Sequence, residues 1–290
     1  MSNIVSDRLR RQVLGIPIDA FTMSQAVAQC TEAMEREGYL SIGVVNAAKI
    51  VAMRRDAQLE QAVTGCHMIL ADGQSVVWAS RMLRAPLPER VAGIDLFLAL
   101  LAEAAQRGSR VYFLGARPEV LAQMLDEVSR RFPALTVAGA RDGYFQADEE
   151  PEVVAEIQRS GADLLFLGMS SPKKEVFVSR WGETTGACVV HGVGGSFDVL
   201  AGLTKRAPVW YQKHGLEWLY RAQQEPLRLG RRYLTTNAAF ILMVARQLVR
   251  DRAGNGPTLS QMADPRTAET GEPATLATPQ TTNAAPGEAS

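Results

Sequence analysis

A single carboxylate follows a short apolar strand in the stretch Met68-Ile69-Leu70-Ala71-Asp72-Gly73. In an open α/β sheet, ligands bind just outside the carboxyl ends of the strands, which is where Asp72 would lie. Gly73 has no Cβ, so backbone or ligand can come close to it. The alternative is that Asp72 is a turn residue or the N-cap of a helix over residues 74–81, since Asp is favoured at both places. The stretch therefore predicts either a ligand-facing carboxylate or a purely structural one.

Other predicted strand ends supply glycines and polar side chains on the same side of the sheet. Four strands end at Asn46, Asp72, Gly115 and Gly168, and a fifth is followed by Gly194, Gly195 and Asp198. Glycines at strand-to-helix turns let backbone N–H groups and helix N-termini face an anion such as a diphosphate. Ordinary α/β turn glycines are the alternative, and Asp198 either binds a sugar or ribose hydroxyl or caps the next turn.

Cationic side chains stand near these strand ends. Ser171 and Lys174, in Ser170-Ser171-Pro172-Lys173-Lys174-Glu175, directly follow a strand, so their hydroxyl and ammonium groups suit a phosphate or nucleotide contact. Arg90, in Pro88-Glu89-Arg90-Val91-Ala92-Gly93, precedes a helix. A ligand-binding arginine and a solvated surface arginine are both compatible with that position.

Several kinds of site are disfavoured by what the sequence lacks. It has neither G-x-G-x-x-G nor GxxxxGK[ST] at a strand–helix junction, so an NAD(P)-linked oxidoreductase and a P-loop enzyme are both disfavoured. The 3 cysteines and 3 histidines are scattered, and no DxD-type carboxylate pair is present, so we expect no metal and no cofactor. A metal-independent site with arginines balancing a leaving diphosphate fits better.

The elements that must position these residues alternate between strands and helices. Apolar runs predict an edge strand over residues 13–20 and strands over 40–45, 68–71, 110–114, 135–139, 164–167 and 188–190. Start signals for the helices between them include a capping box at Thr22 and Gln25, an N-cap at Asn46 and a first-turn proline at Pro118. This alternation predicts an α/β fold, a Rossmann-like and largely parallel sheet with helices on both faces.

Composition divides the chain of 290 residues into four parts. We expect a flexible N-terminus over residues 1–12, an α/β domain over 13–203, a basic helical appendage over 204–250 and a disordered tail over 251–290. The N-terminus shows no secretory signal, no apolar run reaches the roughly 18 residues of a membrane span, and the odd cysteine count favours a reducing compartment. A formal net charge of +0 gives no overall field that would attract nucleic acid.

The appendage interleaves basic and aromatic residues. Its basic residues include Lys205, Arg206, Lys213, Arg221, Arg228, Arg231 and Arg232, and its aromatic residues include Trp210, Tyr211, Trp218, Tyr220 and Tyr233. This pattern suits an anionic membrane surface. It also suits nucleic acid, and a solvated helix face is the structural alternative.

Taken in order, the motifs resemble the WecG/TagA/CpsF family of bacterial glycosyltransferases over roughly residues 13–250. The matching pieces are Val45-Asn46-Ala47-x-Lys49, Ala71-Asp72-Gly73, Pro88-Glu89-Arg90-Val91-x-Gly93-x-Asp95-Leu96, Phe113-Leu114-Gly115-Ala116, Gly143-Tyr144-Phe145, Gly168-x-x-Ser171-Pro172-Lys173-Lys174-Glu175, Gly192-Val193-Gly194-Gly195-Ser196-Phe197-Asp198, Arg206-Ala207-Pro208 and Gly215-Leu216-Glu217-Trp218-Leu219-Tyr220-Arg221-x-x-x-Glu225-Pro226-x-Arg228. As an ordered set they are specific, although none is specific alone.

The resemblance implies a metal-independent inverting glycosyltransferase. Such an enzyme moves a sugar from a UDP-sugar to a polyprenyl-diphosphate-linked saccharide, in the synthesis of exopolysaccharide, teichoic acid or common antigen. It implies a peripheral enzyme on the inner, cytoplasmic face of the bacterial cytoplasmic membrane, with no nucleic acid partner. A homo-oligomer is compatible with it.

The resemblance also assigns roles to residues. Asp72 matches the family's proposed general base, Arg90 its proposed diphosphate ligand and Asn46 its active-site asparagine. Asp198 matches the aspartate of the GGSFD motif, and Gly115, Ser171, Lys174, Gly194 and Gly195 fall in the donor-binding motifs. Three arginines match those of the appendage thought to close over the site at the membrane, namely Arg221, Arg228 and Arg231.

Two positions depart from the family pattern. Val44 stands where many members have Thr, and Lys174 stands where many have Gln. Both would lie near the sugar or nucleotide, so N-acetylmannosamine is a less secure expectation for the donor. The rival function from another class is a non-catalytic nucleotide-binding α/β protein whose basic C-terminus binds nucleic acid or a protein partner.

Overall fold

The computed structural model describes residues 9–208, 210–211, 217–224 and 231–253. The chain first forms an antiparallel hairpin of β1 (Arg10–Val13) and β2 (Ile16–Asp19). The single edge strand predicted over residues 13–20 is therefore wrong. The chain reverses at Leu14 and Gly15, which both take positive φ, 54° and 75°, and a glycine adopts that conformation without a steric penalty.

A six-stranded sheet forms the centre of the fold, and all its strand pairs are parallel. The strand order is β4-β3-β8-β7-β5-β6. The strands are β3 (Leu40–Val45), β4 (Met68–Ala71), β5 (Arg110–Gly115), β6 (Thr136–Arg141), β7 (Leu164–Gly168) and β8 (Val189–Gly192). The parallel α/β sheet predicted from the alternating pattern is confirmed. The strand predicted over residues 188–190 extends further, because β8 continues through His191 and Gly192.

Helices cover both faces of this sheet, as predicted. In order they are α1 (Met23–Glu35), α2 (Ala47–Met53), α3 (Ala57–Thr64), α4 (Gln74–Met82), α5 (Gly93–Arg107), α6 (Pro118–Arg131), α7 (Glu150–Ser160), α8 (Lys173–Trp181), α9 (Ser196–Leu200), α10 (Glu217–Gln224) and α11 (Arg231–Arg252). Successive strand residues face opposite sides, so Leu164 and Phe166 pack beneath α1, α5 and α6. Leu165 and Leu167 pack on the other side, with α7 and α8.

The C-terminal helix α11 is part of the folded core. Phe240 and Val244, on α11, are buried against α2 and the hairpin, in a cluster that includes Ile50 and Val13. The appendage predicted over residues 204–250 includes, in its described part, the helix α10 and most of the helix α11. Within the described residues, none of the helices combines the length and the apolar character needed to cross a bilayer.

Candidate functional site

Asp72 and Asn46 lie side by side at the carboxyl edge of the sheet. They follow the neighbouring parallel strands β4 and β3, whose last pair is Ala71 with Val45. The Asp72 backbone N–H donates to Val45 O at 2.9 Å, and Asn46 Nδ2 lies 3.4 Å from Asp72 Oδ2. Asn46 is also the predicted N-cap of α2, because its Oδ1 accepts from the Lys49 N–H at 3.0 Å. The cap therefore fixes the amide that faces the carboxylate.

The Asp72 carboxylate does not cap its own helix. Gly73 is the N-cap residue of α4, so the N-cap alternative for Asp72 is wrong. Asp72 Oδ1 instead accepts from the N–H of Gly93, the first residue of α5, at 2.9 Å. A carboxylate near the N-terminus of this 15-residue helix is stabilised by the helix dipole.

His191 holds the other side of Gly93. His191 Nε2 lies 3.1 Å from Gly93 O, and the ring is fully buried at the end of β8. Burial lowers the pKa of His191 from 6.5 to about 4, so the imidazole is neutral near pH 7. The sequence interpretation treated this histidine as isolated. Its one available signal was its place at the end of an apolar strand that runs into the glycine-rich loop.

The loop that carries Arg90 runs along the end of β4. The next residue, Val91, donates its backbone N–H to Ala71 O at 2.9 Å. The Arg90 guanidinium contacts Glu217 Oε2 through Nη1 at 2.8 Å and Asp95 Oδ2 through Nη2 at 3.9 Å. Its side chain is only 14% exposed, so a solvated surface arginine is the wrong interpretation. The partner Glu217 starts α10, so this ion pair joins the appendage to the N-terminus of α5.

A second ion pair strengthens that junction. Arg206 donates to Asp95 Oδ1, and Asp95 lies in the first turn of α5. Two arginines therefore converge on one carboxylate, and a second carboxylate reaches Arg90 from α10. We conclude that the predicted diphosphate ligand is already engaged by anions of the protein itself.

Lys174, a predicted donor ligand, belongs to a buried ion cluster. Its ammonium lies 2.7 Å from Glu175 Oε1, and Lys49 Nζ lies 2.7 Å from the same oxygen. Burial acts to raise the pKa of Glu175, but the two ammonium groups outweigh it and hold the pKa at about 2. Burial and the charge of Lys49 lower the pKa of Lys174, which the charges of Glu175 and Asp72 only partly offset. Sequence reasoning missed Lys49 and Glu175 as partners, since nothing local links α2 to α8.

Glycines line the space beside this cluster. A Cβ on Gly192 would lie 3.1 Å from Lys174 Cδ, and one on Gly43 would lie 3.1 Å from Cys66 Sγ. Together with Lys49 and Glu175, both glycines line the same small cavity. A Cβ on Gly194 would lie 4.0 Å from Lys174 Nζ, which places the ammonium just beneath the glycine-rich loop.

The remaining predicted donor residues follow β5, β7 and β8. Ser171 is exposed at the turn before α8, Gly195 is exposed at the N-cap of α9, and Asp198 is half-buried in that helix. Gly115 faces the Gly168 backbone, to which a Cβ on Gly115 would come within 2.5 Å. Close backbone packing therefore explains why position 115 requires glycine, and the anion-facing role remains a prediction.

The appendage arginines are described only in part. Arg221 lies on α10 and Arg231 begins α11, but the side chains of both fall outside the described part of the chain. Arg228 lies wholly outside the described residues. In the part of the chain that the structure describes, no three His, Cys, Asp or Glu side chains come together as a metal-binding group.

Comparison with known proteins identifies one family. The sequence model of the family described as "Glycosyl transferase WecG/TagA/CpsF family" matches residues 11–254. A relative from Bacillus spizizenii (strain ATCC 23059 / NRRL B-14472 / W23) is 37% identical over 177 residues, which cover 61% of this chain and 68% of the relative. That relative is named N-acetylglucosaminyldiphosphoundecaprenol N-acetyl-beta-D-mannosaminyltransferase.

Proposed function

The chain belongs to the WecG/TagA/CpsF family of glycosyltransferases, and we propose that it moves a sugar from a UDP-sugar to a polyprenyl-diphosphate-linked saccharide, without a metal and with inversion. The name of the Bacillus relative supports the acceptor class, since that enzyme acts on N-acetylglucosaminyldiphosphoundecaprenol. We therefore take a diphosphate-linked N-acetylglucosamine as the first acceptor to test. The product would serve cell-surface polysaccharide synthesis.

The observation that carries this proposal is the fixed carboxylate of Asp72 at the sheet edge. Oδ1 is bound to the Gly93 N–H at 2.9 Å, while among the described residues Oδ2 has only the long 3.4 Å contact with Asn46. Oδ2 therefore keeps a lone pair for an acceptor hydroxyl. Asp72 would take the hydroxyl proton as the oxygen attacks the anomeric carbon. The bond from that carbon to the UDP oxygen breaks, and the diphosphate leaves with the electron pair.

The leaving diphosphate needs positive charge and N–H donors. Arg90 would supply the charge once the diphosphate displaces Glu217 from its guanidinium. Donor contacts would come from Ser171, Lys174 and the loop at Gly194 and Gly195, and Asp198 would bind a hydroxyl. Further charge would come from the appendage arginines, Arg221, Arg228 and Arg231.

The membrane role belongs to the same proposal. A polyprenyl acceptor lies in a bilayer, and the appendage combines basic residues with the exposed aromatic side chains of Trp210 and Trp218. We propose that the enzyme acts peripherally on the inner face of the cytoplasmic membrane. The membrane role is best tested by substitutions. Deleting all residues after 203 would damage the fold, because Phe240 and Val244 of α11 are core residues.

The test of catalysis is Asp72→Asn, assayed with a panel of UDP-sugars and a lipid-diphosphate N-acetylglucosamine acceptor. We expect turnover to fall about 10²- to 10⁴-fold with the fold intact, because the amide cannot take the proton. The matched control is Asp142→Asn, just after β6, where Asp142 Oδ1 accepts from the Tyr144 N–H. Near-wild-type turnover of Asp72→Asn would rule out the base assignment.

The test of the membrane role is the triple substitution of Arg221, Arg228 and Arg231 by Gln. We expect weaker flotation with vesicles containing anionic lipid, since each basic residue near such a surface contributes about 1 kcal/mol. Undiminished flotation would mean that these arginines are not the membrane contact.

A further inference from the structure

Gly93 is held from two sides by side chains that are distant in the sequence. Its N–H donates to Asp72 Oδ1 at 2.9 Å, and its carbonyl oxygen lies 3.1 Å from His191 Nε2. One peptide segment at the start of α5 thus links a fully buried imidazole to a carboxylate at the sheet edge.

The carbonyl fixes the tautomer of His191. A carbonyl oxygen can only accept, so the imidazole proton must stand on Nε2, which makes His191 the donor to Gly93. The other ring nitrogen, Nδ1, is buried and has no hydrogen-bond partner in the described chain. The bond to Gly93 O is therefore the polar contact that orients this ring.

The ring is also fixed by packing. His191 lies edge-on to Phe166, with ring centroids 6.3 Å apart, and a Cβ on Gly93 would lie 3.7 Å from His191 Cε1. That is ordinary contact spacing for an atom that Gly93 lacks, so the direct link between the ring and the start of α5 is the hydrogen bond to Gly93 O.

The backbone contacts around Asp72 fix its main chain and leave the direction of its carboxylate to other bonds. The backbone of Asp72 is tied to Val45 O, and Val91 is tied to Ala71 O, both at 2.9 Å. These hydrogen bonds fix the backbone position of Asp72 but not the direction of its carboxylate. The carboxylate is oriented by the Gly93 N–H at 2.9 Å, together with the longer 3.4 Å contact of Asn46 with Oδ2, and His191 bonds to the carbonyl of the same glycine.

We propose that His191 is a positioning residue for Asp72, acting through Gly93 to hold the carboxylate in its reactive orientation. This inference rests on the proposed role of Asp72 as the general base. A purely structural histidine would support folding alone. A positioning histidine supports the turnover of molecules that are already folded.

The test compares two replacements of similar reach. In His191→Gln, the amide nitrogen stands as many bonds from Cα as Nε2 does, so it can still donate to Gly93 O. In His191→Met, the side chain fills similar space without a donor. We expect kcat per folded molecule to fall about 10- to 100-fold in the Met variant, with KM within about twofold, and to recover within about threefold in the Gln variant.

Amide hydrogen exchange at Gly93 supplies a readout that does not depend on catalysis. We expect the Gly93 N–H to exchange about tenfold faster in His191→Met than in the wild type or His191→Gln. Should His191→Met fail to fold, His191→Asn replaces it, because its shorter amide ends before Gly93 O.

Each outcome decides between the inferences. Wild-type kcat in folded His191→Met, equal losses in the Gln and Met variants, or unchanged Gly93 exchange would each overturn the positioning role. Full activity in Asp72→Asn would instead overturn the base assignment, and the catalytic part of this inference with it. Faster Gly93 exchange in His191→Met would then establish the structural linkage separately.

Discussion

Replacing Glu175 by Gln should destabilise the protein more than replacing Lys174, one of its two contacting lysines, by Met. Among the described residues, Glu175 is the carboxylate in direct contact with two buried ammonium groups, since Lys49 and Lys174 both lie 2.7 Å from its Oε1. Glu175→Gln keeps the shape of the side chain but leaves two like charges beside each other. Lys174→Met leaves Lys49 and Glu175 as a balanced pair.

The magnitude follows from burial. The side chains of Lys49, Lys174 and Glu175 are 11%, 9% and 7% exposed, so solvent screens them little. Removing one partner of a buried ion pair costs about 3–5 kcal/mol of unfolding free energy. For Lys174→Met we expect a loss of about 1 kcal/mol or less, because replacing buried charges by apolar groups is often nearly neutral.

Denaturant and thermal unfolding measure this difference. A loss of about 3–5 kcal/mol corresponds to a Tm lowered by about 10 °C for a domain of this size. The destabilisation of Glu175→Gln should shrink as pH rises above neutrality, because an unpaired buried lysine can then release its proton. The matched control is Glu119→Gln, whose exposed pair with Arg117 should change stability by about 0.5 kcal/mol or less.

Two results would refute this reasoning. One is a Glu175→Gln variant within about 1 kcal/mol of the wild type, which would mean that water already screens the cluster. The other is a Lys174→Met variant as unstable as Glu175→Gln, which would mean that packing rather than charge balance sets the stability.

Three further predictions concern the surroundings of the site. Glu217→Gln should tighten binding of a nucleoside diphosphate about fivefold in calorimetry, because the carboxylate no longer competes for Arg90, and unchanged affinity would argue against competition. As pH falls from 6.5 to about 4, the wild type should lose about 3 kcal/mol of unfolding free energy relative to His191→Gln. The reason is that His191 takes up a proton in the unfolded state but not in the folded state, where its pKa is lowered to about 4. Parallel stability curves of the two proteins in acid denaturation would contradict this. Gly192→Ala should lower Tm by displacing the Lys174 side chain, whose Cδ would lie 3.1 Å from the added Cβ, and an unchanged Tm would show that the lysine can move without cost.

Local features were well predicted because their causes lie within a few residues. The capping box at Thr22 and Gln25 and the cap at Asn46 each bond to an N–H three residues away or less. Pro118 starts α6 as predicted, since its fixed φ suits a first helical turn. The hairpin was missed because Leu14 adopts positive φ, a conformation that is uncommon for a leucine and that its residue type does not indicate.

The candidate site was predicted only as a set of strand ends. Parallel strands place their carboxyl ends on one edge, so the sequence was enough to bring Asp72 and Asn46 to the same edge of the sheet. It did not determine that β4 and β3 are neighbours, or that Asn46 would face the carboxylate at 3.4 Å. The family pattern supplied roles for these residues, and those roles remain predictions.

What the sequence determined by itself was the kind of fold, the family and the edge at which Asp72 lies. What only the tertiary structure decided was which partner each polar group meets. Asp72 caps α5 rather than α4, Lys174 shares Glu175 with Lys49, and Arg90 pairs with Glu217 across 127 positions. The physical reason is that strand order and helix packing bring these groups together, and the spacing of residues along the chain does not determine either of them.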